Sequence, residues 1–530
     1  MFLGLCLLAL NSQSVNRAGA QKSVEDSSAA STTTATFSPV SSSSTMTIPA
    51  LEDWQAGTIA FSHGAEGEWD RYLWGGFANS LIKRGGTYYL YYQGSPSYDD
   101  QCESVSHRAI GVATSTDGVH WVKSQKNPVI SWSSQGSIEE GAVSSAAWLG
   151  QDGKFYVYYG ANTGSGCTVN TSARLAVSDD GENFQDAGEV LSGSDPNVWG
   201  SGDEIHPVGA YSHENQWYLY YIPNGVPLSR KLGVAIGDSA NTFTQTMGLN
   251  NSTVPAWGPV SIILDGSDAV LITNPEGTNG PMNFYSFDAD NPSIIDLHLS
   301  YTLPDCMQSS VIHEGSENHW MMSCRDQNAE NYYIRNAYPT HTFSDVPTSY
   351  WAWNYIEGLY AAGVTSGCSN PPLLFYCPTT TVTRDQMAVF LLRGKHGSSY
   401  VPLPSIGEFQ DVPIDYWAAA WIEQLAAEGI TSGCSVHPQR YCPNAAVTRD
   451  QMAVFLLRAK HGSDYVPPPA TGEFQDVPSD YWAAAWIEQL AAEGITSGCS
   501  ANPNRFCPTT PVTRSEMAVF IVRAFGIPLP

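Results

Sequence analysis

The 530-residue sequence predicts a multidomain protein, with an all-β five-bladed propeller followed by an all-α module of three repeats. Two observations support this division. Short aromatic runs with a period of two recur through residues 51–338, and such alternation is typical of strands. After residue 338 one segment occurs in three similar copies, with Asp345, Asp411 and Asp476 at equivalent positions. Repeats of this kind bury their apolar faces by packing on one another.

The composition restricts the possible partners. Asp and Glu outnumber Lys and Arg by 51 to 24, and the formal net charge is −27. Binding to nucleic acid requires a concentrated basic surface, so nucleic acid is excluded as a partner. Charged residues make up only 14% of the chain, whereas Tyr and Trp number 27 and 16. This profile favours a secreted, β-rich protein.

The first 50 residues precede the folded modules. Residues 1–22 contain the apolar run FLGLCLLAL and the small residues Ala18–Ala20, which predict a secretory signal peptide. Residues 23–50 are rich in Ser, Thr and Ala and predict a flexible linker. No stretch is long and apolar enough to predict a membrane span.

Residues 51–338 contain five similar units. Their aromatic or apolar runs begin at Thr87, Lys154, Gln216, Ala269 and His319. The segments GVATSTDGVHW and LAVSDDGENF predict an outer hairpin after the first two runs. The spacing leaves room for four strands per unit, which is the arrangement of a propeller blade.

These runs resemble the five-bladed propellers of glycoside hydrolase family 43, the arabinanases and the invertases. The resemblance implies carboxylates at the central funnel, near the starts of the inner strands. One protonated carboxyl would donate to the leaving oxygen, and a second carboxylate would activate water or attack the sugar. Glu204 is the candidate acid, because Glu204 to Pro207 resembles the family pattern. The other candidate catalytic residues are Glu140, Asp203 and Asp70.

Blade 1 departs from the family pattern. Ala78 and Asn79 stand where an Asp-Pro pair is expected, so the general base is in question. Candidate sugar-binding residues lie near the same strand starts, and Trp rings are suited to stacking on pyranose faces. They are His206, Trp74, Trp199, Trp257 and Asn79.

The three repeats resemble the S-layer homology repeat through FxDV, YWA, G-[VI]-T-x-G and TRxxMAxFLxR. Their predicted boundaries are 339–398, 399–463 and 464–530. The resemblance implies docking on a bacterial cell-envelope glycan. Arg384, Arg449 and Arg514 of the TRxx segments are the candidate anchoring residues, because an Arg fork suits a carboxylate-bearing polymer.

The cysteines favour disulfides over zinc sites, since nearby histidines do not repeat with them. The predicted pairs are Cys368 with Cys377, Cys434 with Cys442, Cys499 with Cys507, Cys102 with Cys167, and Cys306 with Cys324. Asp345, Asp411 and Asp476 are expected to cap helices.

Two functions remain open from the sequence. The first is a secreted, surface-anchored glycoside hydrolase that acts on a polysaccharide. The second is a non-catalytic carbohydrate-binding or envelope structural protein on the same scaffold. No dinucleotide, phosphate-loop, zinc-protease or nucleophile-elbow motif appears, and neither a cofactor nor a metal is predicted.

Overall fold

A computed structural model gives the structure of the following residues: 46–96, 108–131, 141–162, 171–200, 204–223, 231–250, 258–274, 281–304, 306–314, 318–326, 330–369 and 373–530. The predicted signal peptide and most of the predicted linker lie outside these residues. No helix among the described residues is long and apolar enough to cross a membrane.

The first module is a five-bladed propeller, as predicted. Blade 1 contains β2 (Tyr72–Arg84), β3 (Thr87–Ser95), β4 (Ala109–Ser115) and β5 (Val122–Lys123). Blade 2 contains β6 (Gly141–Leu149), β7 (Phe155–Asn162), β8 (Thr171–Ser178) and β9 (Gln185–Leu191). Blade 3 contains β10 (Ile205–His213), β11 (Gln216–Pro223), β12 (Gly233–Gly237) and β13 (Gln245–Gly248).

The last two blades complete the ring. Blade 4 contains β14 (Val260–Asp265), β15 (Asp268–Thr273), β16 (Met282–Asp288) and β17 (Ile295–Tyr301). Blade 5 contains β18 (Met307–Glu314), β19 (His319–Arg325), β20 (Asn331–Ala337) and β1 (Thr58–Ser62). The five predicted runs coincide with the second strands of the five blades.

The tyrosines of these second strands hold neighbouring blades together. Adjacent residues of a strand point to opposite faces, so a Tyr-Tyr pair contacts a different blade on each side. In blade 1, Tyr91 packs toward blade 2 and donates to the Gly181 carbonyl at 3.0 Å. Tyr92 packs with Phe61 and Tyr332 of blade 5.

The ring closes through its first and last strands. β1 pairs antiparallel with β20, so the start of the propeller sequence supplies the outer strand of the last blade. Nearer the axis, the Ser310 hydroxyl of blade 5 accepts the Leu81 N–H of blade 1 at 2.9 Å. Inner strands β2 and β6 meet in a parallel bridge between Ala78 and Ser145.

The C-terminal module contains six helices. They are α1 (Trp353–Ala361), α2 (Arg384–His396), α3 (Ala419–Ala427), α4 (Arg449–His461), α5 (Ala484–Ala492) and α6 (Arg514–Phe525). Two small hairpins accompany them: β21 (Ser435–Val436) with β22 (Gln439–Arg440), and β23 (Ser500–Ala501) with β24 (Asn504–Arg505). The module is helical in the main, but the expectation of an exclusively helical module is not confirmed.

The three repeats form a closed ring of backbone hydrogen bonds. The Val382 N–H donates to Val512, the Val447 N–H to Val382 and the Val512 N–H to Val447, at 2.8–2.9 Å. One apolar core runs through all three repeats. The third repeat therefore contacts the first as well as the second.

Four of the five predicted disulfides are present. Each repeat carries its own, and Cys306 pairs with Cys324 in blade 5. The fifth predicted disulfide joins Cys102 to Cys167. Both Cys102 and Cys167 lie outside the described residues, so the structure does not test this pair and it stays a prediction.

The prediction that the repeat aspartates cap helices is wrong. Asp345 instead accepts the N–H groups of Tyr376 and Cys377, both at 2.7 Å. Asp411 and Asp476 make the equivalent contacts in their own repeats. These aspartates therefore hold the disulfide loops.

The two modules share a core. Phe375 of the first repeat stacks on His298 of blade 4, with ring centroids 4.7 Å apart. Met46 and Ile48, which were assigned to the linker, are 2% and 0% exposed. Met46 bridges to Leu373, and the Ile48 N–H donates to the Ser344 hydroxyl at 3.1 Å. This end of the predicted linker is packed.

A glycine in blade 3 permits close approach of blade 4. A Cβ at Gly209 would lie 2.8 Å from the Val260 carbonyl oxygen, whereas one at Gly86 would meet nothing within 4 Å. We expect Gly209→Ala to lower the free energy of unfolding by about 1–3 kcal/mol through overpacking. Gly86→Ala should change it by less than about 0.5 kcal/mol. Urea unfolding measures both, and equal effects would contradict the proposed close contact.

Candidate functional site

The candidate site lies where the inner strands begin. Every blade repeats the same meander, so the inner strands run in one direction and their N-terminal ends face one side of the ring. Glu204 directly precedes inner strand β10, and His206 is its second residue. Residues two apart in extended backbone share a face, which brings the two side chains together.

Glu204 and His206 form a close, largely buried pair. His206 Nε2 lies 3.0 Å from Glu204 Oε2, and the His206 and Glu204 side chains are 8% and 16% exposed, respectively. Burial increases the strength of such a contact, because little water screens it. Of the predicted catalytic and sugar-binding residues, these two are in contact.

Asp70 has a different environment. Its Oδ2 accepts Lys123 Nζ at 2.6 Å and the Tyr92 hydroxyl at 3.1 Å, and its side chain is 3% exposed. Lys123 comes from β5, the outer strand of blade 1. Asp70 is therefore the buried half of an ion pair within its own blade.

Asn79 and Trp199 also have partners within the propeller. Asn79 is 1% exposed, and its Oδ1 accepts the Ser323 hydroxyl of blade 5 at 2.8 Å. The Trp199 ring lies against blade 3, where a Cβ at Gly248 would be 2.4 Å from the ring. These contacts hold strands together and leave neither side chain fully free for a sugar.

The remaining candidates are only partly described. Glu140, Asp203 and Trp257 lie outside the described residues. The backbone of Trp74 lies in β2 opposite Gln93, and its side chain is not described. These four assignments stay predictions.

A polar cluster at the other end of the inner strands was missed by the sequence analysis. A cavity of about 380 Å³ is lined by residues of all five inner strands, and its lining includes Lys83, His313 and Glu314. Lys83 and the Tyr88 hydroxyl both donate to Glu314. Burial alone would raise the pKa of Glu314, but these two hydrogen bonds hold it below its ordinary value. The sequence gives no indication of this contact, because it joins blades 1 and 5.

The three repeat arginines lie between repeats. Arg384 Nε donates to the Tyr441 carbonyl of the next repeat at 2.8 Å, and the guanidinium lies 4.7 Å from that ring's centroid. Arg449 makes the same contacts with Phe506, and Arg514 with Tyr376. All three residues are 3–5% exposed, and burial lowers the pKa of each.

The arginines differ in their remaining donors. Arg514 Nη2 donates to the Gly367 carbonyl at 3.2 Å. Among the described residues, Nη2 of Arg384 and Nη2 of Arg449 have no hydrogen-bond partner. Buried donors are seldom left without an acceptor.

Comparison with known families assigns both modules. Residues 74–225 match the glycosyl hydrolases family 32 N-terminal domain. Residues 342–371 and 473–518 match the S-layer homology domain. The chain joins a glycoside hydrolase-like propeller to S-layer homology repeats. These matches confirm the two predicted resemblances, since families 32 and 43 belong to one propeller clan.

One curated relative is an endoglucanase of Bacillus sp. strain KSM-635, which is 34% identical over 127 residues. The match covers 23% of this chain and 12% of the endoglucanase, so the chain spans about an eighth of that relative.

Two solved structures illustrate the structural similarity. The family 117 glycoside hydrolase Zg3597 of Zobellia galactanivorans has 12% identity and a TM-score of 0.41, covering 56% of this chain and 91% of the other. The family 32 β-fructofuranosidase of Bombyx mori has 12% identity and a TM-score of 0.37, covering 53% and 62%.

The ion pair between Asp70 and Lys123 should contribute to the stability of blade 1. We expect Asp70→Asn to lower the free energy of unfolding by about 1–3 kcal/mol, because the partly buried Lys123 loses its counter-charge. Asp186→Asn, at the more exposed Arg174 pair, should cost less than about 1 kcal/mol. Denaturant unfolding measures both. An Asp70→Asn protein of unchanged stability that loses glycan turnover would show instead that Asp70 takes part in catalysis.

Proposed function

We propose that the protein is a secreted glycoside hydrolase held at a bacterial cell surface by its S-layer homology repeats. The observation that carries the proposal is the buried Glu204–His206 pair at the start of an inner strand, in a module that matches a glycosyl hydrolase domain. The substrate is a polysaccharide, and Glu204 donates the proton to the leaving glycosidic oxygen.

His206 positions the acid. Its Nε2 contacts one carboxyl oxygen of Glu204 and so restricts the rotation of that side chain. The second carboxylate of the mechanism is proposed to be Glu140 or Asp203, the two other acidic residues assigned near these strand starts. Asp70 is less suited to this task, because Lys123 already occupies its carboxylate.

A second function is favoured by blade 1. Ala78 and Asn79 stand where the family pattern has an Asp-Pro pair, so the expected acidic residue is missing, and the Asn79 side chain bonds Ser323. A propeller that lacks the general base would bind a sugar and not cleave it. The alternative is therefore a non-catalytic carbohydrate-binding or envelope structural protein.

Anchoring is proposed to use the spaces between the repeats. The Arg384 and Arg449 guanidinium groups each keep one donor without a partner among the described residues, which favours an anionic envelope glycan as ligand; Arg449 differs in that its Nη1 already pairs with Glu516 at 2.7 Å. Arg514 has bonded the corresponding donor to Gly367, so its site is proposed to contribute less.

The catalytic proposal is tested with Glu204→Gln. We expect release of reducing sugar from a panel of arabinan, xylan and fructan to fall at least about 100-fold, because the amide cannot donate the proton. Glu189→Gln, at an exposed position of β9, is the matched control and should keep full activity. Binding to the same glycans without turnover by the unaltered chain would support the non-catalytic alternative.

The anchoring proposal is tested with matched arginine variants. We expect Arg384→Lys and Arg449→Lys to reduce cosedimentation of the full chain with purified bacterial cell walls about 10-fold, because Lys cannot form the planar fork. Arg514→Lys should have a smaller effect. Thermal unfolding of each variant separates lost binding from lost folding, and equal loss in all three variants at equal stability would contradict the proposed difference.

A further inference from the structure

Two turns of neighbouring blades bring three metal-ligating side chains together. His213 ends inner strand β10 of blade 3, and Glu214 begins the turn that follows. Asp290 lies in the turn between β16 and β17 of blade 4. One ligand atom from each residue lies within 4.8 Å of the other two.

The His213 ring supplies a second observation. Its Nε2 is fully buried and makes no hydrogen bond among the described residues. The closest carboxylate oxygen, Asp290 Oδ1, is 3.7 Å away, which is beyond hydrogen-bond distance. A buried nitrogen without a partner is costly unless another group binds it.

The position of Asp290 is fixed from the other blade. The Tyr211 hydroxyl of blade 3 donates to the Ala289 carbonyl at 2.8 Å, and the Tyr220 hydroxyl donates to Pro292 at 3.1 Å. Both tyrosines are fully buried. The turn of blade 4 is therefore held beside His213, and the three ligands need little rearrangement to converge.

The local charge favours a cation. Among the described residues, neither Glu214 nor Asp290 forms an ion pair with Lys or Arg. Burial, and then the negative charges of Asp290, Asp288 and Glu214, raise the pKa of the neighbouring Tyr218. The negative charge at this boundary is thus left uncompensated.

We propose that His213, Glu214 and Asp290 bind a divalent metal ion of the zinc class and thereby link blade 3 to blade 4. One imidazole and two carboxylates are a donor set that zinc accepts, with water as the fourth ligand. Calcium prefers six to eight oxygen ligands, so the imidazole disfavours it. This site is separate from the proposed catalytic pair.

The repeats contain two other groups of potential ligands, each an aspartate with two cysteines. In both groups the cysteines form a disulfide, and the aspartate accepts two backbone N–H groups. Those groups therefore do not compete for metal in the oxidised protein.

The test uses the oxidised full-length chain, freed of metal by chelator and dialysed against Zn²⁺. We expect one tightly bound zinc per chain and a rise in the melting temperature of about 5 °C at saturation. His213→Ala and Asp290→Asn should each lose this zinc and the rise. His120→Ala is the matched control, because His120 pairs with Asp117 on the surface and no third ligand lies beside them among the described residues; this variant should keep both the zinc and the rise.

Several outcomes would overturn the proposal. Zinc retained at full stoichiometry by both ligand variants places the ion elsewhere, and so does its loss in His120→Ala. An equal rise in melting temperature with Ca²⁺ would contradict a site that requires imidazole. Asp290 is 54% exposed at its side chain, so Asp290→Asn should fold even if His213→Ala does not.

Discussion

The pairing of β1 with β20 is the constraint on which the structure depends. Without it blade 5 would have three strands and an open edge, and the ring would not be closed. The same pairing fixes the path of the preceding residues. Trp54 Nε1 donates to the Tyr301 hydroxyl at 2.8 Å, and Met46 reaches Leu373 of the first repeat. Closure of the ring and attachment of the repeats therefore share one segment of chain.

A closed ring also determines what each polar residue near the axis can do. Asn79 bonds Ser323, Leu81 bonds Ser310 and Lys83 bonds Glu314. Three alternate residues of β2 are therefore bonded to blade 5. Glu204 and His206 lie in blade 3, away from this seam. The residues best placed for chemistry are thus those that the closure of the ring does not use.

The sequence predicted what depends on local pattern. The five second strands were found because Tyr-rich runs such as that of β3 alternate with a period of two, and the repeat disulfides were found because the cysteines recur. The role of β1 was not found, since it depends on a pairing between Thr58 and Ile334. The partner of Asp70 was missed for a similar reason: Lys123 lies 53 positions away. The predicted role of Asp345 was wrong, because a carboxylate beside a turn can accept N–H groups either from a helix start or from a loop distant in sequence. Glu204 and His206 could both be assigned to the site from the sequence, because they lie two residues apart in one motif.

The circular contact among the repeats makes each of them depend on the other two. In an open solenoid a repeat can be gained or lost at an end, because each unit touches only its neighbours. Here Arg514 of the last repeat packs on Tyr376 of the first, 138 residues earlier. Loss of the first or the third repeat would leave the remaining member of this pair without its partner. The three repeats are therefore expected to unfold together as one unit, unlike an open solenoid that can lose a terminal repeat.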